Sequence, residues 1–304
     1  MSARRIFARP ARFAAIAPYV WMVLFFLVPF AFVLKISLSQ TAIAQPPYTP
    51  VFDWSEGWPA VKAAFAALSP DNFKFLVSDD LYVMSYLRSL VVAVVSTAML
   101  LVIGYPIAYG MARLPQRWQA IAMLLVIVPF WTSLLVRTTA WYVLLQPSGV
   151  INSLLMGMGL VSHPLPLLFN RTGVLIGMTH ILLPYMILAI YSVMKGVSPV
   201  YMRAAQSLGA HPVTAFIRIY MPQTMPGVGA GCFLVFVLAL GYYITPALLG
   251  GAGDEMISQL IAAQTNEQLN WGLAGALSAY LVIFTAVFYF VFNRLVGIDR
   301  LRFG

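Results

Sequence analysis

Six stretches of this chain, 13–34, 89–112, 118–136, 172–194, 225–249 and 271–293, contain no Lys, Arg, Asp or Glu. Each is long enough, as a helix, to cross roughly 30 Å of hydrocarbon. Polar segments broken by proline and glycine separate them, the longest being 39–82 and the most helix-breaking 195–225. The pattern predicts an all-α integral membrane protein with about six transmembrane helices in one domain, 1–304. The first stretch is longer than the apolar core of a cleaved leader and lacks a small-residue cleavage site, so it is expected to remain as a helix.

Composition agrees: 61% of residues are hydrophobic and 9% charged, and the mean hydropathy is +0.86, outside the balance of a soluble domain. The net charge of +9 becomes informative once divided between the two sides of the membrane. With the N-terminus in the cytoplasm, Arg4, Arg5, Arg9, Arg12, Arg113, Arg117, Lys195, Arg203, Arg218, Arg294, Arg300 and Arg302 lie inside. Asp53, Glu56, Asp71, Asp79, Asp80, Asp254, Glu255 and Glu267 then lie outside, as the positive-inside rule requires. Both termini and the loop 195–225 are therefore expected in the cytoplasm, and 39–82 outside. In 39–82, Pro46 and Pro47 stiffen the chain, while Trp54, Trp58, Phe73 and Phe75 act as interface anchors or as contacts for a binding protein. The charge reflects topology, and no soluble basic face is available for nucleic acid.

Catalytic chemistry is not apparent. There is no Gly-rich phosphate loop ending in Lys-Ser or Lys-Thr, so the chain is expected to be no enzyme and any ATP hydrolysis must come from another chain. His163, His180 and His211 lack ligand spacing, so no metal site is expected. Cys232, the single cysteine, reads as a small core residue. The six stretches hold no acid, which argues against a proton- or sodium-coupled carrier. His180, ionisable and inside a span, is either a satisfied bundle residue or a functional one.

The segment 198–227, SPVYMRAAQSLGAHPVTAFIRIYMPQTMPG, has its own local logic. Ser198 and Pro199 form an N-cap and first-turn pair, and Gly209 suits a left-handed stop about three turns later. Pro212 opens a second helix through Thr214 and Ile219, which Pro222 and Pro226 are expected to close. An ordinary connecting loop with helical turns is the plain alternative. Ala204, Ala205, Gly209, Ile219 and Pro222 fall at spacings that resemble the cytoplasmic signature loop of ABC importer permeases. Arg203 stands where that family usually has Glu, and Met221 where it usually has Leu. The resemblance implies a type I ABC importer permease fold, with the first helix of the loop seated in a groove of an ATPase subunit.

The likeness extends over 35–49, 85–112, 129–141, 149–155 and 244–251, which resemble the putrescine/spermidine class of ABC permeases and are most like the first permease subunit of a putrescine importer. This implies a permease subunit in a bacterial inner membrane, paired with a second permease subunit, two ATPase subunits that use ATP and Mg, and a periplasmic substrate-binding protein. No cofactor is expected on this chain itself. Where polyamine permeases of the class carry carboxylates, this chain has Tyr242 and Ala247. The pathway is assigned to Trp131, Arg137, Trp141, Tyr242, Tyr243 and Thr245, whose aromatic faces suit an ammonium group; Arg137 equally suits a helix-capping or snorkelling role. Gly227, Gly231, Gly272 and Ala276 read as packing positions. Pro29, Pro106, Pro129, Pro184 and Pro246 interrupt spans, and Pro246 marks either a pathway-lining bend or a packing kink. Other readings are an importer of an opine-like or other small organic solute, an autonomous secondary carrier or channel, and a noncatalytic membrane scaffold.

Overall fold

A computed structural model describes residues 16, 18–52, 55 and 57–296, without the side chains of 295 and 296. The arginines at 4, 5, 9, 12, 300 and 302, the start of the first span, and Asp53, Trp54 and Glu56 lie outside the described residues. The elements in order are α1 (Pro18–Ser37, with a π turn at Val23–Leu27), β1 (Gln40–Thr41), β2 (Tyr48–Thr49), α2 (Gly57–Ala66), α3 (Asp71–Ser78), α4 (Asp80–Arg113), α5 (Gln116–Ile127), a 3₁₀ turn (Val128–Trp131), α6 (Leu134–Leu145) and α7 (Val150–Gly157). They continue with α8 (Arg171–Met194), α9 (Pro199–Ser207), α10 (Pro212–Leu240, with a π turn at Phe216–Tyr220), α11 (Ile244–Leu249), α12 (Ile257–Asn266) and α13 (Trp271–Val296). Among the described residues five helices, α1, α4, α8, α10 and α13, are long and apolar enough to cross a membrane, and the bent pair α5 and α6–α7 adds a sixth when it is counted as one span.

The chain divides into two compact units. The first holds residues 1–80 and 261–284. Its two-residue strands pair antiparallel, Gln40 opposite Thr49, which turns the chain back after α1. Lys35, at the end of α1, donates to the carbonyl of Pro50 and lies 4.3 Å from the ring centre of Tyr48 and 4.9 Å from that of Phe52, so its charge is housed locally. Asn72 donates to the carbonyls of Ser37 (2.9 Å) and Ser39 (2.8 Å). The start of α13 presses on the same turn: a Cβ on Gly275 would lie 3.0 Å from the Ser37 nitrogen, and Ala276 is fully buried. The small-residue spacing at 272–276 therefore serves close packing.

The second unit holds residues 81–260 and 285–304, and α8 is its axis, the most buried of the apolar helices. Glycines bring its neighbours close. A Cβ on Gly227 of α10 would lie 3.0 Å from the Val193 side chain, one on Gly231 2.9 Å from the Met186 sulfur, and one on Gly104 of α4 3.0 Å from Met186 Cγ. Met178, Leu182, Met186 and Ile190 are fully buried there. Along α10 and the end of α13, Phe236 stacks on Phe288 with centroids 3.9 Å apart. Large apolar side chains such as Val102, Leu125 and Phe290 are exposed, as hydrocarbon-facing positions are.

Four expectations are corrected by the fold. The span at 118–136 is not one straight helix: α5 ends in the 3₁₀ turn, Thr132 and Ser133 are extended, and α6 leaves at 92°. Pro129 lacks an N–H for the helical ladder, and the Thr132 hydroxyl donates to the Pro129 carbonyl (2.8 Å), which stabilises the corner. The span at 225–249 stops at Leu240, and α11 restarts after a break at 241–243. Pro222 and Pro226 do not close a helix. The π turn at Phe216–Tyr220 widens the ladder just before Pro222, and Gln223 fills the Ile219 carbonyl (2.8 Å), so α10 continues through both prolines. Pro106 and Pro184 likewise sit inside continuous helices.

Candidate coupling loop and solute pathway

The loop after α8 folds as its caps dictate. The Ser198 hydroxyl accepts from the Val200 N–H (3.3 Å), with Pro199 at the first helical position. At the other end Gly209 has φ +88°. Its N–H reaches the Gln206 carbonyl (3.0 Å), and the Ala210 N–H reaches the Ala205 carbonyl (3.0 Å). These two bonds make a Schellman stop, which needs a residue that tolerates the left-handed region. The next helix opens at Pro212, with His211 Nδ1 accepting from the Val213 N–H (3.4 Å).

The side chains divide α9 into two faces. Met202 and Ala205 are buried, whereas Arg203, Ala204 and Gly209 are exposed. Val200, Tyr201 and Leu208 are exposed by 55%, 54% and 89%, so with Ala204 they form an apolar stripe at helical spacing. Ala205 packs inward rather than lying on that stripe. Ile219 is half-buried and Pro222 exposed. The π turn ties the loop to α4: Phe216 and Tyr220 pack edge-on against Tyr109 with centroids 5.2 and 5.3 Å away, and the Tyr105 hydroxyl lies 3.0 Å from the Thr224 hydroxyl. Sequence reasoning did not single out this aromatic tie; its signal is the tyrosine pair at 105 and 109, one helical turn apart, matching the pair at 216 and 220.

A second constellation forms where α11 packs on α6 and α8. Gly177 permits this approach, since a Cβ there would lie 2.5 Å from Leu249 Cδ1 and 2.9 Å from Thr245 Cγ2. The Ser258 hydroxyl donates to the Tyr242 carbonyl (2.6 Å) and pins the break. Arg137 of α6 lies within electrostatic reach of both His180 and Tyr242, and Tyr242 within reach of Tyr185. Trp141 meets His180 edge-on at 5.4 Å, and Phe130 meets Tyr185 at 4.9 Å. Arg137 Nε, Thr179 Oγ1 and Thr245 Oγ1 are buried without a hydrogen-bond partner among the described residues, a state that water or a polar ligand relieves.

Arg137, Trp141, Tyr242 and Thr245 thus gather around α8 and α11. Trp131 is 77% exposed, with its neighbour Phe130 turned toward Tyr185 instead, and Tyr243 is 46% exposed. Tyr185 and Gly177 were not legible as members of this group, though Gly173 and Gly177, four apart, carry the small-residue signal of a close helix approach.

Residues 101–299 match the family described as binding-protein-dependent transport system inner membrane component. The chain is 36% identical over 224 residues to the spermidine/putrescine transport system permease protein PotB of Escherichia coli K12, covering 74% of this chain and 81% of that protein. It is 35% identical over 216 residues to the PotB protein of Haemophilus influenzae, covering 71% and 76%. Among solved structures, a bacterial ABC transporter involved in import of the acidic polysaccharide alginate matches with TM-score 0.66 at 16% identity, over 94% of this chain and 95% of that one. The inward-facing MetNI methionine ABC transporter matches with TM-score 0.54 at 15% identity, over 71% and 94%. The chain belongs to the family of binding-protein-dependent transport system inner membrane components. It is a permease subunit of an ABC transporter in the inner membrane, with the type I permease fold.

Proposed function

We propose that this permease carries polyamines, putrescine or spermidine, delivered by a periplasmic binding protein. It works beside a second permease subunit, while ATP and Mg are used on two separate ATPase subunits. The observation that carries the substrate is the 36% identity to spermidine/putrescine permeases along three quarters of the chain. Transport is coupled through α9, with Ala204 and Gly209 on its exposed side, Arg203 at the edge of that side, and Ala205, Ile219 and Pro222 holding its shape. The solute passes the group formed by Trp131, Arg137, Trp141, Tyr242, Tyr243 and Thr245. A second reading, import of an opine-like solute bearing a carboxylate, is favoured by Arg137, whose unpartnered buried Nε suits an anionic group better than an ammonium. Uptake of labelled putrescine and spermidine by cells making the complete transporter, competed with carboxylated amines, separates the two. A transporter reconstituted without ATPase subunits should stay silent; transport by this chain alone would make it an autonomous carrier.

Ring loss is the sharper probe of the pathway. A cation over an aromatic face gains about 0.5–2 kcal/mol, so Tyr242→Ala should lower polyamine uptake by about 2- to 30-fold. Tyr242→Phe should be milder, and affinity of the binding protein should not change. Equal uptake by wild type and Tyr242→Ala removes Tyr242 from the pathway.

The proposed orientation has both termini and α9 in the cytoplasm and 39–82 outside. In a Cys232→Ser background, Ser55→Cys should react with a membrane-impermeant thiol reagent on intact cells, whereas Gln206→Cys should react only after permeabilisation. Opposite labelling inverts the topology and takes α9 away from any ATPase.

A further inference from the structure

Behind α9, on the side away from the Val200, Ala204 and Leu208 stripe, lies a cavity of about 450 Å³. Pro199, Met202, Arg203 and Gln206, one helical face, form one wall; Arg113 at the end of α4, Lys195 at the end of α8, and Tyr220 of the π turn form the others. Three cations therefore line one small space. The Arg113 guanidinium is stacked over the Tyr109 ring, 4.5 Å from its centre, which orients its donor fork. Among the described residues no carboxylate lines the cavity, and residues 81–253 contain no Asp or Glu at all. The next acid along the chain, Asp254, pairs with Arg171 (3.2 Å) at the opposite end of α8, about 36 Å from Lys195 at 1.5 Å per residue.

Three cations along one cavity, with no carboxylate among the described residues that line it, make a positive concavity that favours an anion. We propose that this cavity binds a phosphate group, held by Arg113, Lys195 and Arg203 with Gln206 as a neutral donor. Arginine forks and a lysine point charge suit tetrahedral phosphate oxygens. The apolar remainder of the lining, Ala112, Met194, Val197 and Met202, accommodates the rest of the ligand. The phosphate comes either from the headgroup of an anionic lipid or from a soluble phosphate compound. Because the cavity is walled jointly by α9 and the ends of α4 and α8, its occupation braces the loop against the membrane helices.

The test uses the full chain in nanodiscs. In phosphatidylcholine discs it is titrated with inorganic pyrophosphate at constant ionic strength; in a second series phosphatidylglycerol replaces part of the phosphatidylcholine. The thermal unfolding midpoint is read in both. Stabilisation of wild type by pyrophosphate identifies a soluble source, and stabilisation by phosphatidylglycerol alone a lipid one. In either case Arg203→Gln, at an exposed position, should weaken the apparent affinity about 10-fold or more, while Arg203→Lys retains most of it. Arg218→Gln, an exposed cation outside the cavity, should change nothing; an equal loss there means a general surface field and overturns the site. If neither probe shifts the wild-type midpoint, the proposal fails. If Arg203→Glu then also blocks association with an ATPase subunit, a carboxylate of that subunit is the counter-charge instead.

Discussion

A chain carrying Gly209→Pro is expected to reach the membrane in normal amounts yet lose ATP-driven uptake. Gly209 sits at φ +88°, where proline, held near −65°, cannot follow. The substitution also deletes the N–H that reaches the Gln206 carbonyl, and it displaces the Ala210 bond to Ala205 that completes the stop. The end of α9 then unwinds and Leu208 leaves the exposed apolar stripe. Uptake should fall at least about tenfold, the equivalent of 1.4 kcal/mol, and co-purification with the ATPase subunits should fall with it. Gly209→Ala should be intermediate, since an L-residue in the left-handed region costs about 1–2 kcal/mol, and Gly209→Asn milder still. The measurements are uptake, co-purification and chain abundance in membranes. Wild-type uptake and assembly in Gly209→Pro would end the coupling assignment of 199–209.

The second large effect is expected inside the membrane. Gly177→Leu drives a side chain into the space held by Leu249 and Thr245, where even a Cβ would be 2.5 Å from Leu249 Cδ1. Leu249 is fully buried and its carbonyl also accepts from the Asn170 N–H (3.3 Å), so α11 has no free direction in which to yield. Overpacking of this kind costs about 1–3 kcal/mol or more. It should lower the thermal unfolding midpoint and, because the break at 241–243 moves with α11, reduce transport by more than the loss of stable protein explains. Pairing Gly177→Ala with Leu249→Ala should recover part of both quantities, as neighbours that share one space are coupled. Additive losses in the pair would show that the two residues do not share it.

How much of this was legible along the chain depends on how far each feature reaches. The ends of α9 were predictable because capping is local: Ser198 acts on a donor two residues away, and Gly209 on a carbonyl three residues back. The apolar stretches were legible for the same reason, since exclusion of charge from hydrocarbon acts on each residue by itself. The breaks were not. Pro106 and Pro184 lie in continuous helices, whereas Pro129 lies at a 92° corner; proline alone does not choose between these outcomes.

Neighbours make that choice. Restarting the helix at Ile244 depends on the bare surface that Gly177 offers on α8, and running α10 past Pro222 depends on a π turn seated against Tyr109. The sequence by itself determined an apolar helical bundle, the division of charge between its ends, and a capped helix in its basic loop. Only the tertiary structure decided which spans bend, that Ala205 turns inward, and that Arg137, Trp141, His180, Tyr185 and Tyr242 meet. Those residues are up to about a hundred positions apart, and their association is set by helix packing, which reads shape across elements and leaves no local period in the chain.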